Sequence, residues 1–380
     1  MQQSYDTIII GAGIAGLNAG RVLKDDTLIL EKKEQIGFPV QCGEGISVAA
    51  LERENIPIEP HWIQASINHI KRIMPNGKWI GAKNASSHSL VIDRPGFEKS
   101  LAEKVPWEIR MNTQVSNITR NGRHWIIDTI PGGALKAKYI IGSDGPNSVT
   151  AKAVFGIRHK LVPGMNHVID FEKGIPPHTL QMFFGSRISK AGYAWIFPTS
   201  RTSANVGITH KTKGKLKVSF SWFLETEVKP QFGNYRLSIN KSGVIPVGGF
   251  VSNNPLNKAY LIGDAGGFTD PVFEGGMNMA LFTGRLAAES INENDPMIFK
   301  NAISALPFSA KDLVKARDLF YSLDDAALNA LGNVMDGRST SFLSTPKGQQ
   351  AFSASSVLAA RQKEIFEFTR IWQAAKPYLW

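Results

Sequence analysis

The run Tyr5-Asp6-Thr7-Ile8-Ile9-Ile10 is β-branched and lacks polar alternation, the pattern of a strand buried on both faces of a parallel sheet. It leads straight into Gly11-Ala12-Gly13-Ile14-Ala15-Gly16; Leu17 to Leu23 then suits a helix, and Thr27 to Glu31 repeats the buried-strand pattern. This spacing predicts a β-α-β unit of about thirty residues. The strand-then-glycine pattern recurs at Tyr139 to Gly145 and at Ala259 to Gly266. Residues 62–95 and 156–250 have a different texture, rich in aromatic or alternating strand candidates such as Thr179 to Phe184 and Val218 to Phe223. Beyond Pro296, apolar residues recur three and four apart over Asp312 to Leu331 and Ser355 to Ala375, predicting helices.

The expected fold is therefore α/β, α+β overall. A Rossmann-type nucleotide-binding domain (1–61, 96–155 and 245–295) is interrupted by a β-rich substrate domain (62–95 and 156–244), and a helical C-terminal region follows (296–380). No fixed-period repeat or low-complexity tract is visible.

The glycine fingerprint gains weight from its context, because it follows a strand, opens a helix and is followed twenty residues after Gly11 by Glu31. Gly11 permits the tight turn, Gly13 lets backbone approach a pyrophosphate, and Gly16 lets helix and strand pack closely. Glu31 is placed to accept hydrogen bonds from an adenosine ribose and to disfavour a 2′-phosphate. FAD and NAD share this fingerprint, so the choice between them rests on the rest of the chain.

Composition narrows the classes. The 380 residues are 43% hydrophobic and 20% charged, an ordinary globular mixture long enough for two or three structural units. Cys42 is the single cysteine, which excludes an internal disulfide and any multi-cysteine zinc site and favours a reducing, cytosolic setting. The eight histidines show no paired spacing, so no metal is expected. No uncharged run is long enough for a membrane span without Gly or Pro, and no basic region precedes the first apolar stretch as a signal peptide would require. Lys and Arg number 43 against 32 Asp and Glu, giving a net charge of +11. That excess suits solubility, or attraction to an anionic membrane or an acidic redox partner; it lacks the clustered pattern of a nucleic-acid binder.

Gly263-Asp264-Ala265-Gly266-Gly267, followed by Asp270-Pro271 and Gly275-Gly276-Met277-Asn278, resembles the FAD-dependent reductase and hydroxylase superfamily. The resemblance implies FAD, with Asp264 on its ribityl or pyrophosphate and a helix beginning at the paired glycines directed at the flavin. Gly142-Ser143-Asp144-Gly145 resembles an intermediate motif of that superfamily, and Ile92-Asp93-Arg94 with Phe97 its arginine-bearing segment. Arg94 fits either a cofactor contact or a surface salt bridge.

Two further segments resemble the geranylgeranyl reductase family, whose archaeal members saturate isoprenoid chains of membrane lipids: Gly37-Phe38-Pro39-Val40-Gln41-Cys42-Gly43-Glu44-Gly45 and Gly192-Tyr193-Ala194-Trp195-Ile196-Phe197-Pro198. The ordered set covers residues 5–285. Gln41 departs from the Arg that many archaeal members carry, and Val272-Phe273-Glu274 stands where small or polar residues are common, with Glu274 bringing a carboxylate to the flavin pocket. The resemblance implies cofactor contacts at Gly11, Gly13, Ala15, Gly16, Glu31, Lys32, Cys42, Gly43, Arg94, Asp144, Asp264, Pro271, Gly275, Gly276 and Met277.

In a strand, Tyr193, Trp195 and Phe197 share one face, and Pro198 ends the strand or places it at an edge. Alternation alone reads this stripe as sheet core, whereas the resemblance reads it as the wall of an apolar tunnel that binds a prenyl chain. Cys42 and Glu44 become candidate catalytic groups by the same analogy. Each also has a plainer reading, Cys42 as a small buried hydrophobe and Glu44 as a surface carboxylate.

The activity implied is FAD-dependent saturation of C=C bonds in geranylgeranyl or related polyprenyl lipids; the alternatives are a monooxygenase or halogenase of the superfamily and a prenyl-lipid carrier. The expected partners are the isoprenoid lipid and an electron donor, reduced ferredoxin or NAD(P)H. The chain is expected to act as a cytoplasmic monomer that meets its lipid at the membrane surface. Gln362 to Trp380 fits either an interfacial helix or one packed on the core.

Overall fold

Residues 3–81 and 88–379 are described by the computed structural model. Its first sheet grows from the β-α-β unit. Ser4–Ile10 lies between Thr27–Leu30 and Gly133–Gly142, and Glu108–Arg110 extends the parallel set beyond Thr27–Leu30. Gly133–Gly142 pairs antiparallel with His124–Ile130 through its first half and parallel with Ala259–Leu261 through its last three residues; Gln114–Asn121 completes the sheet. Every residue of Thr27–Leu30 is buried, which explains the absence of polar alternation there. Helices Ile14–Gly20 and Met277–Asn292 cross with backbones in contact, since a Cβ on Gly284 would stand 2.5 Å from the Ala15 carbonyl oxygen.

The second sheet also has seven strands, in the order Tyr235–Pro246, Leu161–Phe171, Ser203–Thr209, Ser189–Pro198, Thr179–Gly185, His69–Ile73 and Trp79–Ile80. One of its faces carries Ala194, Ile196, Val206 and Ile208, packed against Leu216, Phe220 and Phe223. Those last three belong to helix Leu216–Phe223. The strand expected over Val218 to Phe223 is thus incorrect. The buried residues fall at i, i+4 and i+7, one stripe of a helix, while Val218, an inward position in the alternating reading, is 73% exposed.

Residues 62–95 divide between two sheets. His69–Ile73 and Trp79–Ile80 join the second sheet, whereas Ile63–Ile67 and Ser89–Ile92 pair with Gly45–Ser47 in a separate three-stranded sheet; 82–87 lie outside the described residues. The C-terminal part is helical, as its periodicity predicts. Helix Gln362–Leu379 buries Ile365, Ile371, Trp372, Ala375 and Leu379, and Trp372 meets Phe273 edge to face at 4.5 Å. Of its two readings, this is packing on the core; Trp380 lies outside the described residues. Among the described residues, no helix is long and apolar enough to cross a membrane.

Candidate active site

Both large sheets and the loops between them contribute to a cavity of about 380 Å³. One end is built by the glycine fingerprint. A Cβ on Gly16 would stand 2.0 Å from the Gly11 carbonyl oxygen, so Gly16 serves close packing beneath the loop and lies outside the cavity wall. Gly11, with φ +104°, makes the turn, and Gly13 faces open space with no atom within 4 Å of a built Cβ. Glu31, at the end of its strand, accepts the Ala12 N–H at 2.8 Å and the Lys33 N–H at 2.9 Å. Ala15, Lys32 and Asp144 also reach the wall, and Ser143 Oγ beside them is buried without a hydrogen-bond partner. Asp144 accepts from Ser148 Oγ at 2.5 Å and from the Thr150 N–H at 3.0 Å; burial raises its carboxyl against these bonds. An open glycine cradle, an acid at the strand end and an orphaned hydroxyl fit a bound dinucleotide.

At the middle of the cavity stand Arg94, Asp264, Gly275, Gly276 and Met277, the last opening helix Met277–Asn292. Asp264 accepts from Thr269 Oγ1 at 3.0 Å, and a Cβ on Gly276 would come within 3.0 Å of Asp264 Oδ1. Arg94 donates to Glu98 at 2.7 Å. Burial works against the charge on Arg94, but the carboxylates around it, Glu98 foremost and Asp264 after it, hold the guanidinium above its ordinary value. Arg94 therefore reaches the cavity and makes an ion pair with its own helix at once.

The far wall is aromatic. Tyr193, Trp195 and Phe197 lie in one row, their ring centroids 5.7 and 6.2 Å apart, on the sheet face opposite Ala194 and Ile196. Gly207, paired with Trp195 across the strands, makes room for the indole, since a Cβ there would fall 2.2 Å from Trp195 Cζ2. Pro198 ends the strand outside the wall. Pro271 also lies outside it, its carbonyl accepting from Arg317.

The loop bearing Cys42, Gly43 and Glu44 sits on this aromatic row; a Cβ on Gly43 would come within 3.1 Å of Phe197. Cys42 Sγ accepts the Glu44 N–H at 3.2 Å. Burial pushes the thiol up, against Arg94 and that N–H, so it stays protonated. Glu44 is buried, with φ +68°, and its Oε2 accepts from Asn205 at 2.9 Å and Lys241 at 3.3 Å. Asn205 also donates to the Cys42 carbonyl at 2.9 Å and accepts from Trp195 Nε1 at 3.0 Å and Asn166 at 2.9 Å. Lys241, Asn166 and Asn205 thus lock the loop to the second sheet, Asn205 also reaching the aromatic strand through Trp195. Sequence reasoning missed all three; a polar residue inside an otherwise apolar strand, as at Asn205, was the available signal.

A model of the geranylgeranyl reductase catalytic domain matches residues 165–244, which form most of the second sheet. The digeranylgeranylglycerophospholipid reductase of Methanosarcina acetivorans is 30% identical over 77% of this chain and 76% of its own length; that of Methanocella arvoryzae is 28% identical over 88% and 86%. Among solved structures, a geranylgeranyl bacteriochlorophyll reductase-like protein from Thermoplasma acidophilum superposes with a TM-score of 0.82 at 20% identity, covering 96% of this chain and all of that one. A flavin-dependent brominase reaches 0.69 at 17% identity, with 97% and 100% covered. With that degree of identity over three quarters of both chains, and the fold and motif order described above, this chain belongs to the geranylgeranyl reductase family.

Proposed function

We propose that this protein is an FAD-dependent oxidoreductase that saturates C=C bonds in the geranylgeranyl or related polyprenyl chains of a lipid. The reading is carried by one observation: the aromatic row of Tyr193, Trp195 and Phe197 and the dinucleotide cradle line a single cavity. When bound, FAD supplies a hydride equivalent from its reduced ring. Gly11, Gly13, Ala15, Glu31 and Lys32 hold its adenosine end, with Gly16 packing beneath them. Asp144, Arg94, Asp264 and the helix start at Gly275, Gly276 and Met277 hold the remainder, with Cys42 and Gly43 against it and Pro271 bracing the turn. Tyr193, Trp195 and Phe197, in a strand ended by Pro198, exclude water and hold the prenyl chain. An isolated alkene has no carbonyl to polarise, so placement by such a wall and a positioned acid must do the work. Cys42 presents a protonated thiol at the reacting face, and Glu44 anchors its loop through Asn205 and Lys241. The protein acts as a monomer, meets its lipid at the membrane surface and draws electrons from reduced ferredoxin or NAD(P)H.

Anaerobic incubation of the reduced holoenzyme with a geranylgeranyl-bearing phospholipid, followed by mass analysis of the lipid extract, tests this. A gain of two hydrogens per alkene is expected. Unchanged lipid, together with oxygen-dependent NAD(P)H consumption and an oxygenated product, would instead identify a monooxygenase.

A further inference from the structure

A second acid reaches the same cavity from another element. Glu274 precedes the Gly275-Gly276 pair and lines the cavity, yet its side chain is 1% exposed. Its backbone has φ +61°, a left-handed conformation unusual for a residue with a side chain. Oε1 takes Arg317 Nη1 at 3.3 Å, while Oε2 is buried without any hydrogen-bond partner. Both nearby phenols are committed elsewhere, because Tyr193 donates to the Phe273 carbonyl at 2.6 Å and Tyr321 to the Val272 carbonyl at 2.8 Å. Arg317 is fixed by the carbonyls of Pro271 and Ala191. A buried carboxyl with an unclaimed oxygen, held in a strained backbone at a cavity wall, is costly unless it is used.

Resting on the function proposed above, we infer that Glu274 is the proton donor to the alkene carbon that does not receive the hydride. One C–H bond forms between that carbon and the Glu274 proton as the π pair moves into it, and the other carbon takes the hydride equivalent supplied by reduced FAD. The alkene gains two electrons, which FAD loses. The carboxylate left beside Arg317 takes its next proton from water.

The surroundings of Glu274 suit this role. Burial raises its carboxyl to about 7 against the pull of Arg317 and Thr209. Burial and Glu274 likewise raise Asp270, whose Oδ2 is also unpartnered, to about 7. Arg72, facing Asp270, is pushed down to about 10 by burial and remains charged at neutral pH. The Tyr193 and Tyr321 phenols are raised well above their ordinary values by burial, and the Cys42 thiol is raised too. Glu274 and Asp270 are therefore the strongest neutral acids among these groups near neutral pH, and of the two Glu274 lines the cavity.

The test uses Glu274→Gln, which keeps size and the contact to Arg317, and Glu274→Asp, which keeps the acid. Anaerobic single-turnover reoxidation of reduced holoenzyme by the same phospholipid is followed from pH 5 to 9. Wild type is expected to lose rate as pH rises through about 7, and Gln to be slower by about 100-fold at pH 7 with that limb gone. Asp is expected to recover at least about a tenth of the rate with the limb present. A second readout needs no turnover. Glu274 binds its proton more tightly folded than unfolded, so its contribution to stability is full below about pH 4 and is lost as pH rises through about 7. The melting temperature of wild-type holoenzyme should fall over that window more than that of Glu274→Gln. An unchanged rate and pH profile in Gln, a slow Asp variant, or identical melting curves overturns the proton role and leaves the function standing. Failure of wild type to saturate the lipid overturns the function itself, and the proton role with it.

Discussion

Cys42 illustrates how much of a residue's role lies in its neighbours. Its thiol accepts from the Glu44 N–H, lies beside Arg94, and is kept protonated by burial. Its carbonyl is held by Asn205 and Asn166, which tie the loop to the strand bearing Trp195. The loop is thus positioned through the Cys42 carbonyl and the Glu44 carboxylate, which leaves the thiol in the cavity wall. Cys42→Ser is expected to keep flavin content, read from visible absorbance, while turnover falls about 10- to 100-fold through altered placement of the alkene. Equal loss of flavin and turnover would assign Cys42 a purely structural part. The cysteine, Glu44 and the aromatic row were legible because each sits in a short motif. Asn166, Asn205 and Lys241 were not, because what makes them matter is contact with residues 124 to 197 positions away.

At the scale of elements, legibility followed the range of the forces. The β-α-β unit declared itself because a strand buried on both faces must be apolar throughout, and because its glycines serve backbone contacts a few residues away. Helix Leu216–Phe223 was misread because aromatic and β-branched residues alternating with Ser and Lys carry strand propensity, and only the sheet beneath decides which face is buried. Burial ranks its residues. Phe223 is fully buried and stacks edge-on to Phe183 at 5.0 Å, so Phe223→Ala should cost about 3–5 kcal/mol of stability. Val218, 73% exposed, should tolerate Ser within about 0.5 kcal/mol. Denaturant unfolding of the two variants as holoproteins measures both. Similar losses would mean that the helix does not pack through the Phe223 face.

For the whole molecule, the two sheets divide the labour: the first presents glycine loops at the ends of its parallel strands, the second presents a row of rings, and the cavity lies where both are within reach. Catalytic turnover also requires electrons to reach that cavity from outside, and here the net charge of +11 has a measurable consequence. Attraction between a basic protein and an acidic protein donor accelerates their encounter at low salt, and the acceleration decays as the Debye length shrinks from about 30 Å at 0.01 M to about 8 Å at 0.15 M. A small nicotinamide donor binding by local contacts has much less to lose. Stopped-flow reduction of the bound flavin by reduced ferredoxin should therefore slow about tenfold or more between these ionic strengths, and remain faster than reduction by NADPH at the lower one. Fast, salt-insensitive reduction by NADPH would overturn the protein-donor reading. Two readings of the charge would then remain, solubility and attraction to an anionic membrane, and co-sedimentation with anionic vesicles at the same two ionic strengths would separate them.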